Sequence, residues 1–500
     1  MTSGQIKFTD ENIQRIFGHE AAEDEDPERL REYYFKNNVF EQVTSDLSLR
    51  VLVGHKGIGK SALFKVAMAE DEDAKNLSIA IQPNDIADLG KSEGSFLELV
   101  RGWEKGLSEI ITQKVFSSFG ISGEGLSAQL KGFGGKTIDF LIQTFRGAKL
   151  GDIEIVNLDP TRQQIREQFL RKHKVNVYID DLDRGWEGRK EDIRRISALL
   201  NAARDISNDN RGTNKGINFK ISLRSDVYFA VRTSDESTDK VEGSVVWYTW
   251  DNHEIFVLLI KRLETYRGVE VDEEKLLKTP QIALANYLFP IMDDKFRGAG
   301  LWENAPMYRV LMSLIRKRPR DLVKLCSLAA KKAYQDKSSK IQTEHFRSIF
   351  EEYSRGRVQD TINEYRSELP DIQRLIMSMK PNAQERTTKA GYVYDTDSLL
   401  RKIKATFGQG QYKFTNGKVA TERELAAFLY KINFLTARKE MPDETIVRKY
   451  FEESEYLFPD LPTNPNFGFE WEIHPAYRWA LQPDTVDSIL NSLRLSSDSS

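Results

Sequence analysis

The chain has 500 residues, 40% of them hydrophobic and a further 31 glycine, an ordinary globular mixture that affords a large core and excludes wholesale disorder. Its 73 basic and 76 acidic residues leave a net charge of −3, which excludes a chain basic throughout, the mark of a dedicated polyanion binder, though not a local basic patch. The length suits two to four domains.

One cysteine, Cys326, excludes internal disulfides and thiolate metal clusters and fits a reducing compartment. The N-terminus has no apolar run behind a basic start, so it does not read as a secretory signal. The longest apolar runs, such as 255–260, fall far below the ~18–20 residues that span a bilayer. The expectation is a soluble cytoplasmic protein without a membrane partner.

Residues 1–46 are acidic and helix-prone, and 29–40 read as a helix. The apolar, β-branched run 47–53 reads as a buried strand ending in a glycine-rich turn, with a helical pattern from Lys60. A second strand is expected at 77–81, stopped by Pro83. Phe96, Leu97, Val100, Trp103, Leu107, Ile110, Ile111 and Val115 recur at helical spacing. Glycines cluster over 118–151, which reads as a loop-like insertion. Strands are expected at 175–179 and 219–223, with a helix over 193–203 and a polar loop over 207–216. Strands alternating with helices predict a parallel α/β sheet. Residues 254–348 read as helical throughout, within a lid of 254–350 that follows a core of 47–253. In 351–500, Thr421 and Glu424 form a capping box. The alternation over 467–473 predicts a strand with one exposed face. Helices with a short β-ribbon predict a winged-helix-like module, and 496–500 is a Ser-rich tail.

Four clusters carry chemistry. Gly54-His55-Lys56-Gly57-Ile58-Gly59-Lys60-Ser61 fits the P-loop pattern and sits between an expected strand and helix. Glycines let consecutive N–H groups turn toward a phosphate, and the following helix, with Ala62 in its first turn, aims its positive end there. Lys60 suits the β and γ phosphates, and Ser61 suits Mg2+. A second match, Gly135-Lys136-Thr137, has Leu130 where glycine is required and no strand before it; it reads as loop.

The run 175–179 ends in Asp180-Asp181-Leu182-Asp183-Arg184, an apolar strand delivering acids. Asp180 suits Mg2+, and Asp181 suits orienting or deprotonating a water. Asp183 reads as a further acid or a helix cap. Ser222-Leu223-Arg224-Ser225-Asp226 closes the fourth strand, where ligands of parallel sheets lie; Arg224 suits either a γ-phosphate or a salt bridge. Arg318-Pro319-Arg320-Asp321 opens a helix, where Arg318 or Arg320 suits a phosphate contact, a solvated basic face or a nucleic-acid patch. The six histidines are scattered without metal-ligand spacing, and 247–250 (WYTW) reads as core packing. No guanine-type Asn-Lys-x-Asp follows the fourth strand, which favours ATP over GTP.

Together these strings resemble bacterial P-loop ATPases of the KAP/STAND kind, relatives of AAA+ proteins. Phe17-Gly18, Ala22-Glu23 and Tyr34-Phe35 upstream and 473–477 (IHPAY) downstream are similar to the same group. The resemblance implies that the segment before the first strand lines an adenine pocket. Arg224 then acts as a sensor-one arginine and Arg318 or Arg320 as a sensor-two arginine. It also implies self-association into homo-oligomers and control of an effector protein, as in antiviral defence. Asp181 stands where many AAA+ proteins carry Glu, which implies slow turnover; Arg184 is a weak arginine-finger match. The expected function is a Mg2+-dependent ATPase acting as a regulatory switch. The alternative is a DNA-binding assembly protein with a structural nucleotide.

Overall fold

The computed structural model describes residues 6–90, 94–120, 136–146, 159–209, 215–234, 239–382, 385, 391–441, 446–455, 457–458, 468–482, 489–490 and 493. The chain divides into two compact units, one of residues 36–56 and 60–248, the other of residues 1–35, 57–59 and 249–500.

The first of these is built on a five-stranded parallel sheet. β1 (Leu49–Gly54), β2 (Leu77–Ile81), β3 (Lys174–Ile179), β4 (Gly216–Arg224) and β5 (Val245–Trp247) lie in the order β2-β3-β4-β1-β5. The four expected strands are present; β5 was not foreseen, because three residues carry no periodicity. Val175, Val177, Ile179, Phe219, Ile221 and Leu223 are wholly buried and join a core with the helices Phe96–Ser118 and Lys190–Asn208. Burial of this kind on a parallel sheet is the main stabilising term.

The glycine-rich insertion is not loop throughout. Gly123, Gly125, Gly132, Gly134 and Gly135 lie outside the described residues, as do 210–214 of the polar loop and the Ser-rich tail. Thr137–Phe145, however, is a helix rather than a loop. Phe140 and Phe145 are fully buried and meet Phe116 edge-on, with ring centroids 5.7 and 5.9 Å apart. Apolar content over 138–145 outweighs the glycines before it.

The second unit is mainly helical. The long helices Asn252–Tyr266, Pro319–Gln335 and Thr343–Tyr365 carry it, with a small hairpin of β6 (Lys295–Arg297) and β7 (Glu303–Pro306). Thr343–Tyr365 is continuous through residue 350, where a domain boundary was expected. The predicted N-terminal helix is two: Pro27–Tyr33, and Asn38–Thr44 in the sheet unit, with Asn37 capping the latter through Phe40 N (3.3 Å). Cys326 is buried in Pro319–Gln335, and burial pushes its thiol well above the ordinary range.

Towards the C-terminus, β8 (Val393–Tyr394), β9 (Leu435–Glu440), β10 (Ile446–Lys449) and β11 (Glu470–Ile473) form an antiparallel sheet in the order β10-β9-β11-β8. It lies with the helix Glu422–Lys431, whose capping box is as expected: Glu424 N donates to Thr421 Oγ1 (3.2 Å) and Thr421 N to Glu424 Oε2 (2.9 Å). β11 has no exposed face at Glu472, contrary to its alternation. As an inner strand it buries that carboxylate, which accepts from Arg448 Nε at 2.7 Å and from Arg478. Among the described residues no helix is long and apolar enough to cross a membrane.

His474 is buried beside this sheet. Its Nδ1 accepts from Ala476 N (3.1 Å), so the proton sits on Nε2, which faces the Tyr450 hydroxyl at 2.9 Å. Burial, then the nearby Arg448 and Arg316, pull its pKa from 6.5 down to about 3. The unfolded chain therefore takes up a proton at a higher pH than the native one, and stability falls as the pH drops below about 6.5. His345, also lowered by burial, acts in the same sense. Glu472, which its arginines hold at about 2 against burial, loses its contribution only below its ordinary 4.5. Urea denaturation at pH 7 and pH 5 is expected to show a loss of stability that is clearly smaller in His474→Asn, which keeps an acceptor for Ala476 N.

Candidate functional site

The glycine-rich turn follows β1 directly. Gly57 and Gly59 have φ of +81° and +108°, a left-handed region that side chains avoid. A Cβ at Gly57 would lie 3.0 Å from Arg320 Cβ. Such a run of glycines turns main-chain N–H groups toward one point, and the helix Lys60–Asp73 starts at once behind it. Lys60 Nζ donates to Gly54 O (2.8 Å) and His55 O (3.1 Å), so its ammonium is folded over the turn. His55 is buried, with Nδ1 3.0 Å from Ser225 Oγ. Ile58 O accepts from the buried indole of Trp250 (2.9 Å). Lys56 is exposed, and Ser61 and Ala62 are half-buried in the first helical turn.

β4 lies between β1 and β3, in a register that pairs Gly54 with Arg224 and Ile179 with Ile221. The Gly54, Asp180 and Arg224 groups thereby reach the same end of the sheet. The Asp180 carboxylate accepts from Asp181 N (2.9 Å) and from the Ser222 hydroxyl. Asp181 is exposed with φ +60°, an unusual conformation for a residue with a side chain. Arg224 is gripped by Asp226 (Nε to Oδ1, 2.9 Å, with a second bond through the other nitrogen) and donates to Asp183 Oδ2 (3.1 Å). Of its two expected roles the structure displays the salt bridge, and Asp183 serves as a partner of that arginine.

The two arginines of the helix start part company. Arg318 is 2% exposed and donates to Glu364 Oε2 at 2.9 Å, so the expectation of a phosphate contact is not met by this buried residue. Arg320 is half-buried; its Nε donates to Glu20 O (2.8 Å), and its main-chain N lies 3.4 Å from Gly57 O. Arg316 and Asp321, on either side, form a buried bidentate pair at 2.7 and 2.9 Å. Ser225 and Trp250 were not foreseen as supports of the turn. The only hint was their place beside strings already singled out.

The donor set fits a phosphate and a hard cation. The turn presents main-chain donors and one ammonium, while Ser61 and Asp180 offer oxygen, the ligand type Mg2+ prefers. A strand inserted between the one entering a glycine-rich turn and the one ending in acids defines this unit as a P-loop NTPase core.

The family described as the FunZ-associated C-terminal helical domain matches residues 294–362. The putative transposon gamma-delta 80.3 kDa protein of Escherichia coli K12 is 23% identical over 521 aligned positions, covering 95% of this chain and 69% of that protein. Among solved structures, a Walker-type ATPase of Pyrococcus abyssi is 14% identical with a TM-score of 0.38, covering 92% of this chain and 97% of the other. The ORC2 protein of Aeropyrum pernix is 12% identical with a TM-score of 0.40, covering 93% of each.

Arg224 is 12% and Asp226 2% exposed in their side chains. Removing one partner of a buried pair strands the other charge, at about 3–5 kcal/mol. Arg224→Ala is expected to lower stability by about 3 kcal/mol in chemical denaturation, and Arg224→Ala/Asp226→Ala to recover much of it.

Proposed function

We propose that the chain is a regulatory ATPase that binds ATP with Mg2+ at the end of β1, hydrolyses it slowly and uses the cycle as a switch. One observation carries the reading: β4 brings the ends of three separate strings, Gly54–Ser61, Asp180–Asp183 and Ser222–Asp226, to one sheet end. Lys60 would leave the turn's carbonyls for the β and γ phosphates. Ser61 and Asp180 would hold Mg2+, which when bound neutralises phosphate charge. Asp181, exposed beside Asp180, would orient the attacking water and accept its proton. Arg224, already tied to Asp183, would sense the γ-phosphate by exchanging one carboxylate for it, and Arg320 would follow the turn itself.

The resemblance to KAP/STAND ATPases extends this reading to self-association and to control of an effector protein, as in antiviral defence. A DNA-binding role is the second reading. It would rest on the winged-helix-like C-terminal module and the basic stretch 309–332, of which Arg316 and Arg318 are buried in ion pairs. DNA affinity that falls steeply with salt and ignores ATP would favour it.

The test is nucleotide binding and turnover with particle size. Lys60→Ala is expected to lose ATP binding. Asp181→Asn is expected to keep binding while turnover falls about 100-fold or more, the scale of a positioned general base. The parent is expected to change size with ATP and Mg2+. Equal turnover in all three would sink the assignment.

A further inference from the structure

The helix Lys60–Asp73 carries a buried carboxylate in an unfavourable place. Asp71 is 9% exposed and lies in the last turn, where the helix dipole disfavours negative charge. Among the described residues its hydrogen-bond donors are neutral. Asn176 Nδ2 reaches both its oxygens (2.9 Å each), the Tyr178 hydroxyl reaches Oδ2 (2.8 Å) and Asn76 Nδ2 reaches Oδ1 (3.2 Å). Burial, then Asp71 itself, pushes the Tyr178 hydroxyl far above its ordinary range, so it remains a donor.

The two main partners have a meaningful position. Asn176 and Tyr178 share one face of β3, and Asp180 continues the same alternation one residue past its end. Tyr178 lies along the helix: its ring meets Phe64 at a 5.3 Å centroid distance, while its hydroxyl meets Asp71 two turns further on. These contacts fix how far the helix can slide along the strand. From Asp71 back to Ser61 is ten residues, about 15 Å of helix at about 1.5 Å each. From Asn176 forward to Asp180 is four residues, about 13 Å of strand at about 3.3 Å each. Two nearly equal lengths, pinned at one end, bring their other ends level.

We propose that Asp71 is a positioning residue: by gripping Asn176 and Tyr178 it sets the helix against β3 so that Ser61 stands level with Asp180. This rests on the reading that Ser61 and Asp180 hold Mg2+. Removing the grip lets the two oxygen donors drift apart without touching the main-chain phosphate cradle.

The experiment reads binding rather than turnover. Affinity for a fluorescent ATP analogue is measured on the full chain in EDTA and across a Mg2+ titration. Asp71→Asn is close in size, and Asp71 borders a cavity of about 440 Å³ lined by Asp46, Asn76 and Asn218 among others, so water can reach the donors it abandons. Metal-free affinity is expected to stay within about twofold, while the Mg2+ midpoint rises about 10–100-fold, the usual effect of losing an outer-shell partner. Tyr178→Phe keeps the ring contact with Phe64 and is expected to shift the midpoint the same way by less. Asp71→Asn/Tyr178→Phe is expected to be no worse than Asp71→Asn alone. An unchanged midpoint in a folded Asp71→Asn with a lower melting temperature would reduce Asp71 to a stability role and overturn the proposal. A parent chain that binds no nucleotide would instead remove the reading of the site itself, and this inference with it.

Discussion

The arrangement of the sheet depends on the hydrogen bonds that β4 makes on both its edges. Without that strand, the glycine-rich turn and the acidic string, more than a hundred residues apart, would have no shared reference. With it, a residue of β1 is locked opposite a residue of β4, and β4 opposite β3. The strand is buried nearly throughout, yet it carries Lys220, 1% exposed. That ammonium donates to Ser45 O (2.6 Å) and Leu47 O (3.2 Å), at the entrance to β1, and burial draws its pKa down to about 8. The central strand therefore also ties down the connection that leads into β1.

Much of this was legible beforehand, for identifiable reasons. β1 to β3 are short apolar runs closed by glycine, proline or acids, β4 carries a like run, and a parallel sheet buried on both faces demands such runs. The phosphate-binding string was legible because each of its residue types answers a separate chemical need. Three features escaped. The helix Thr137–Phe145 hid behind glycines that dominate local composition, although Phe140 and Phe145 decide its burial. Glu472 read as solvent-facing because alternation cannot tell an inner strand from an edge. His55–Ser225 and Ile58–Trp250 join residues 170 and 192 positions apart, a relation that local pattern does not contain.

Arg318 and Arg320 teach a different lesson. Residues two apart at a helix start do not share a face, so one motif was bound to serve two purposes. Arg318 turns to Glu364, and Asp321, one turn on, binds Arg316 and Arg357. Burial alone would raise the Asp321 carboxyl, but these arginines hold it far below the usual range. Arg316 also donates to Thr361 Oγ1 (3.0 Å) and to the Tyr477 hydroxyl (2.8 Å). A buried ionic cluster is a weak source of net stability, since desolvation offsets most of the attraction. Its geometric demands are strict, and it joins the helix start at Pro319, the helix Thr343–Tyr365 and the segment after β11 in one arrangement.

Cys326 has a practical side. The sole sulfhydryl of the chain lies fully enclosed, with its ionisation suppressed, and an un-ionised, inaccessible thiol is a poor nucleophile. Maleimide dyes or spin labels would therefore ignore the native chain. A cysteine engineered at an exposed position such as Lys56 would report from that point alone, with no need to delete the natural one first.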